Sequence, residues 1–239
     1  MTPYAALLAR IKADPASPLL TYRDLGSGER MELSAASLGN AIAKTAGLLR
    51  DELDAQPGDV VGVHLPLHWQ RIVWLGACAA TGTVFAPSSP PEECDICVFD
   101  RAHAHLAGRA TEDVIVSLAP FGLPETGGAP AGVTEAAVAM RAHPDIFVPH
   151  TPPAETLTLV RTEDGEMSQS EVMHAAGQAL THRGIAAGQR FAIFEPDPLA
   201  DIVALAGALM AESGAVLVTG SSSEGVDRIL AEEGVPPTA

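Results

Sequence analysis

The chain is poor in aromatic side chains, in cysteine and in positive charge, and each shortage excludes something. Aromatics are 4% of its 239 residues while hydrophobic residues are 47%, so the core must be built mainly from Ala, Val, Leu and Ile. Lys and Arg number 14 against 30 Asp and Glu, a formal net charge of −16. Phosphate backbones are bound through clustered cations, so nucleic acid is excluded as a partner. An anionic membrane surface is disfavoured for the same reason. Three cysteines, an odd number, do not make a disulfide framework and fit a reducing compartment. No apolar run approaches the roughly 18 to 20 residues of a membrane span, and Met1 to Arg10 lacks a basic segment followed by an apolar one. A cytoplasmic protein is expected.

Chemistry-bearing motifs are equally scarce. There is no Gly-x-Ser-x-Gly elbow. Cys94 and Cys97 open a strand pattern, where a redox pair would open a helix, so they read as packing residues, as does Cys78 in an apolar helix. No second cysteine pair exists to complete a zinc site. His64 and His68 have a helical ligand spacing, but Pro66 between them puts the first on a strand, and His103 and His105 lie in a polar stretch; no metal site is read. Ser221-Ser222-Ser223 has neither the glycine spacing nor the lysine of a phosphate loop and reads as a linker.

What is present is a near-repeat. Pro57-Gly58-Asp59-Val60-Val61-Gly62-Val63-His64-Leu65-Pro66 matches Ala187-Gly188-Gln189-Arg190-Phe191-Ala192-Ile193-Phe194-Glu195-Pro196, with Gly58 and Gly188, and Pro66 and Pro196, 130 positions apart. Each segment is followed by an apolar helix-like stretch, Trp69 to Ala80 and Leu199 to Ala211, and then by Gly82-Thr83-Val84 and Gly214-Ala215-Val216. Upstream, Leu19 to Asp24 and Arg30 to Leu33 flank the turn Gly26-Ser27-Gly28, and Ser34 caps a helix carrying Leu38, Ile42, Leu49 and Leu53 on one face. In the second copy Leu157 to Arg161 is a strand and Thr162-Glu163-Asp164-Gly165 a tight turn. Ser168 and Glu171 form a capping box, Val172, Ala176 and Leu180 make the stripe, and Gly184 ends the helix. Ile96 to Asp100 and Val114 to Leu118 read as strands between the copies, and Glu135 to Ala142 as a short helix. The expected fold is α/β, two similar lobes of mostly parallel sheet flanked by helices, with lobes at 1–148 and 157–239 and a linker at 149–156.

In order along the chain, Glu32 to Leu49, the Pro57 to Val63 strand and Trp69 to Pro87 with its Gly82-Thr83-Val84-Phe85-Ala86-Pro87 ending resemble the N-terminal part of the adenylate-forming enzymes, the AMP-binding and acyl-CoA synthetase superfamily. The resemblance implies two related lobes, and it implies ATP or AMP with Mg²⁺ held by a loop rich in Ser, Thr, Gly and Lys after the first strand of the second lobe. That position is Arg161 to Ser168 here. It keeps only Thr162, Gly165 and Ser168, has no lysine and holds three carboxylates within four residues. The family's later Tyr-Gly-x-Thr-Glu motif, ribose-binding Asp and catalytic Lys domain have no counterpart in the sequence, so a complete ligase is not expected.

No catalytic residue, metal or certain cofactor is assigned. The candidate binding residues are Thr162, Gly165 and Ser168, with Glu195 to Asp197 after the next strand. A site is expected at the carboxyl ends of the strands, where the lobes meet. Thr162 to Ser168 also reads as no more than an exposed turn, with Glu163 and Glu166 favouring the positive end of the next helix. Three readings stand: a non-ligase relative that keeps a cleft for a small molecule or a partner, one subunit of a split adenylate-forming enzyme, or a structural or dimerisation module without nucleotide binding.

Overall fold

The computed structural model describes residues 1–124, 127–194, 199–220 and 225–236. Most elements arise locally, as the pattern predicts. Strands β1 (Pro18–Asp24) and β2 (Arg30–Ser34) form a hairpin. Ser34 then caps α2 (Ala35–Gly47), its Oγ accepting from the Ser37 N–H at 3.2 Å. Leu38, Ile42, Leu49 and Leu53 are all buried, the last two on or just after a π-helical turn, Leu48–Glu52. Strand β3 (Val60–His64) leads into α3 (Trp69–Thr81), which Gly82 ends at φ 83°, and then into β4 (Val84–Ala86). Strands β5 (Ile96–Phe99), β6 (Glu112–Ile115) and β7 (Thr134–Glu135) follow, the last running into a short α4 (Ala136–Ala139). The second half supplies β8 (Thr158–Thr162), β9 (Gly165–Ser168) and α5 (Gln169–His182), and then β10 (Phe191–Phe194), a helix over 200–210 and β11 (Ala215–Thr219). A last helix spans Val226–Glu232. No described helix is long and apolar enough to cross a membrane.

Several elements differ from expectation: the pattern does not predict β7, β9, the N-terminal helix or the last helix, and β6 ends at Ile115 rather than Leu118. Strand β6 starts two residues before Val114, because its register pairs Glu112 with Ile96; apolarity cannot reveal an exposed residue that still pairs. Helix α1 (Pro3–Ala13) has no clear sequence stripe. Thr2 caps it, and only Pro3, Tyr4, Ala6 and Leu7 are buried.

Among the described residues the strands form a four-stranded sheet, β10-β11-β1-β2, and a seven-stranded one, β7-β6-β5-β3-β4-β8-β9. All pairings are parallel except those within the hairpins β1–β2 and β8–β9. The run β3-β4-β8-β9 has the same order and senses as β10-β11-β1-β2. In each, two parallel strands from one half of the chain are completed by a hairpin from the other half. Strand β8 adds to β4, and β1 adds to β11. The division at 149–156 therefore does not coincide with the division between sheets, since residues 1–148 and 157–239 each supply strands to both.

Helices α1, α2, α3 and α5 and the helix over 200–210 lie between the sheets. Helix α3 touches β3 and β4 of one sheet and β1 of the other, and packs on α2. The main hydrophobic core runs through both sheets and the helices between them, from Leu20 and Leu217 through Ile42, Ile72 and Trp74 to Val61 and Val98, with smaller clusters on the outer sheet faces. Across this core Arg71 of α3 makes a bidentate ion pair with Asp201, 2.7–3.0 Å, while its Nη1 donates to the Leu65 carbonyl. The two residues are 130 positions apart, the spacing of Gly58 and Gly188. On the outer face of the smaller sheet, Glu233 is buried against Arg23, Arg30 and Arg190 and ties down the last helix.

Candidate functional site

The predicted binding residues fall on the β8–β9 hairpin. Thr162 and Gly165 are the register pair that closes it, with Glu163 and Asp164 at the tip. Gly165 sits at φ 135°, a conformation that favours glycine. Thr162 Oγ1 donates to the Gly165 carbonyl at 3.4 Å. Arg161 pairs across the hairpin with Glu166 at 2.7 Å, and that bond, with one from Thr158, holds the Glu166 carboxyl below its ordinary range. Ser168 is the N-cap of α5: its Oγ accepts from the Glu171 N–H, and its own N–H donates to Glu171 Oε2 at 2.7 Å. The structure thus brings the three residues together in one hairpin and one cap, but Thr162 bonds to Gly165 and Ser168 to its own helix. Glu195 to Asp197, and Ser221 to Ser223, lie outside the described residues.

A different place is concave. A cleft of about 640 Å³ opens where the carboxyl ends of β1, β3, β6 and β11 converge. Tyr22, Asp24 and the β1–β2 turn form one wall, Pro66 to His68 the second, Leu118 to Phe121 the third, and Thr219 closes the floor. Thr162, Gly165 and Ser168 do not line it. Ligands of open α/β sheets lie at strand carboxyl ends, and 640 Å³ is in the range of small-molecule sites.

Each wall is held from behind. The β1–β2 turn is wrapped around Asp24, whose carboxylate accepts from the Gly26 N–H at 2.8 Å and from Ser27 Oγ at 2.6 Å. Burial raises the Asp24 pKa, but these bonds outweigh it and the net shift is downward. The Leu25 N–H donates to the Thr219 carbonyl, and Gly220, at φ 95°, lets the turn approach: a Cβ there would lie 3.0 Å from the Gly26 nitrogen. On the third wall Gln70 Nε2 donates to the Ser117 carbonyl at 2.7 Å. Phe121 follows at φ 61°, left-handed backbone for a non-glycine residue, and is 77% exposed at the rim.

His68 stands in the second wall of the cleft, almost closed to solvent. It is the N-cap of α3, 2% exposed, with Nδ1 accepting from the Gln70 N–H at 3.3 Å. Its ring meets Tyr22 edge-on at 4.6 Å, and the Tyr22 hydroxyl accepts from Thr219 Oγ1 at 3.1 Å. Burial pushes its pKa down to about 4, against the opposing pull of Asp24 and Asp100, so the ring is neutral at pH 7. With Nδ1 accepting, the proton sits on Nε2, and Nε2 is buried without a partner among the described residues. Glu29 Oε1 is a second such atom, and burial, then Asp24, raise its carboxyl. Sequence reasoning weighed His68 only as half of a metal pair. The signal it carried was its place one residue before an apolar helix, an N-cap position that a histidine can fill through Nδ1.

No protein-family model matches the chain. A protein of Mycobacterium tuberculosis described as a TIGR03089 family protein is 37% identical over a 197-position alignment that covers 78% of this chain and 75% of that one. Among solved structures, an acyl-CoA synthetase of Brucella canis superposes with a TM-score of 0.79 at 16% identity, covering 98% of this chain and 46% of that one. The acetoacetyl-CoA synthetase of Streptomyces lividans gives 0.76 at 21% identity, covering 98% and 41%. A fatty acyl CoA synthetase of M. tuberculosis gives 0.68 at 17%, covering 98% and 48%. The chain therefore has the fold of these synthetases and spans less than half of their length.

Proposed function

Since this chain belongs to the TIGR03089 family and has an acyl-CoA synthetase fold, we propose that it binds a small molecule in the cleft around His68 and does not by itself activate a carboxylic acid with ATP. The β8–β9 turn carries this reading. Its side-chain donors Arg161 and Thr162 are bonded within the hairpin, and Glu163, Asp164 and Glu166 crowd its tip and return strand. A carboxylate 4 Å from a phosphate charge costs about 1 kcal/mol in water and about 4 kcal/mol at an effective dielectric near 20. Glu163 and Asp164 at the tip oppose a triphosphate, while Glu166 is already paired with Arg161. The cleft, by contrast, combines apolar walls with a few convergent polar groups, the usual make-up of a binding site.

Two measurements test this. The purified protein with ATP, Mg²⁺ and a panel of carboxylic acids is expected to release no pyrophosphate above background; release would end the reading. Its unfolding midpoint is expected not to move with millimolar Mg·ATP. A ligand at one hundred times its Kd stabilises by about 2.7 kcal/mol, which at roughly 2–4 °C per kcal/mol for a chain of this size is readily seen. A second reading, one part of an adenylating enzyme completed by another chain or segment, is favoured by the coverage of under half of each synthetase. Co-purification of a partner that restores pyrophosphate release would select it.

A further inference from the structure

The binding reading leaves the kind of ligand open, and the charge of the cleft narrows it. Asp24 and Glu29 both line the cleft, from the same wall. The bonds from Ser27 and Gly26 outweigh burial and hold the Asp24 carboxyl below its ordinary range. Burial, and then the charge of Asp24, raise the Glu29 carboxyl, so the two carboxylates are close enough to repel. A cation that enters the cleft relieves that repulsion. It needs no contact with any particular oxygen, because a charge acts across several ångströms where a hydrogen bond does not.

The surroundings do not offset this charge. Arg30, on the same wall, is already bonded to Glu233 at 2.8 and 3.0 Å and to Glu32 at 2.7 Å. The whole chain carries −16, which draws cations from a distance and repels anions. A bare metal ion fits poorly, since no group of three His, Cys, Asp or Glu side chains that could hold one exists among the described residues. The third wall is apolar instead. Leu118 and Pro120 line it, and Phe121 stands 77% exposed at its rim on left-handed backbone. An exposed aromatic ring accepts an apolar body, and its face also attracts a cation.

Resting on the binding reading above, we propose that the cleft selects an organic cation, whose ammonium or guanidinium group is held by the charges of Asp24 and Glu29 and whose apolar body lies against Leu118, Pro120 and Phe121. The ligand is an amine or guanidine of small-molecule size, and neither a carboxylate nor a phosphate ester nor a bare metal ion.

Three probes of one size and three charges test it: 2-naphthylmethylammonium, 2-naphthylmethanol and 2-naphthoate, titrated at neutral pH into the intact protein with binding read by calorimetry. Opposite unit charges about 4 Å apart in water favour association about five-fold. With two carboxylates the ammonium is expected to bind about ten-fold more tightly than the alcohol, and the carboxylate probe more weakly than either. Salt at about 1 M, where the screening length is about 3 Å, is expected to remove most of the preference. Glu29→Gln keeps the side-chain shape and removes one charge. It is expected to weaken the ammonium about five-fold and to leave the alcohol unchanged. Equal affinity for ammonium and alcohol, tightest binding of the carboxylate, or an ammonium preference that survives Glu29→Gln overturns the ligand class and leaves the binding reading standing. Displacement of the ammonium by an equal concentration of Ca²⁺ overturns it in favour of a metal. Binding by none of the three probes overturns both. Should Glu29→Gln unfold, Phe121→Ala, at an exposed position, reads the same site. It is expected to weaken the ammonium and the alcohol alike, and unchanged affinity overturns the proposal.

Discussion

At the scale of single residues, the cleft concentrates groups whose preferences are overridden by their surroundings. His68 is the clearest. A histidine in water titrates near 6.5, and burial takes this one to about 4. The folded state therefore binds fewer protons than the unfolded state between those values, and the unfolded state gains from acid. Stability is expected to be complete above pH 6.5, to fall as the pH drops towards 4, and to lose no more from His68 below that. The shift corresponds to a change on the order of 3 kcal/mol. Urea unfolding from pH 7.5 to 4, compared between wild type and His68→Ser, checks it: the difference between the two curves should shrink or reverse with acid over that window. A constant difference would mean that His68 is not buried as a neutral ring. Phe121 belongs to the same class of residue. Left-handed backbone at a non-glycine position costs about 1–3 kcal/mol, and here it places an aromatic ring at the rim of the cleft.

At the scale of elements, packing between helices decides more than propensity. Helices α2 and α3 approach closely because Gly76 has no side chain; a Cβ there would fall against Ile42. The sequence showed the apolar stripe of each helix, but it could not show that Gly76 of one faces Ile42 of the other. Gly76→Val is expected to destabilise by about 1–3 kcal/mol through overpacking. Combining it with Ile42→Ala is expected to cost less than the sum of the two single changes, because the smaller partner makes room. Chemical denaturation of the two single variants and the double variant measures the coupling, and strict additivity would sink the claimed contact. The β8–β9 hairpin illustrates the opposite case. Its turn, cap and capping box were legible because every contact lies within a few residues.

At the scale of the whole molecule, the two halves are joined by exchange. Strand β4 receives its next neighbour from β8, and β11 receives its own from β1. An edge strand without its neighbour exposes a row of unpaired N–H and C=O groups. Residues 1–148 and 157–239 expressed separately are therefore each expected to lack a cooperative thermal transition, and mixing them is expected to restore one. A sharp two-state transition for 157–239 alone would show that the exchange is dispensable. The bidentate pair between Arg71 and Asp201 supports the same dependence, since each half supplies one partner to it.

The sequence by itself determined the α/β class, most of the strands and helices, the caps at Ser34 and Ser168, and the resemblance to adenylate-forming enzymes. These rest on periodicity, turn chemistry and capping, all of which act over a few residues. It also showed, at Arg161 to Ser168, that a lysine-bearing phosphate loop is absent. Only the tertiary structure decided which hairpin completes which sheet, because both copies offer chemically similar strands and the pairing is chosen by long-range packing around one shared core. Only the tertiary structure assembled the cleft, for the same reason. Tyr22, His68, Leu118 and Thr219 are scattered over 198 positions of the chain, and no local pattern links the carboxyl ends of four strands drawn from two sheets.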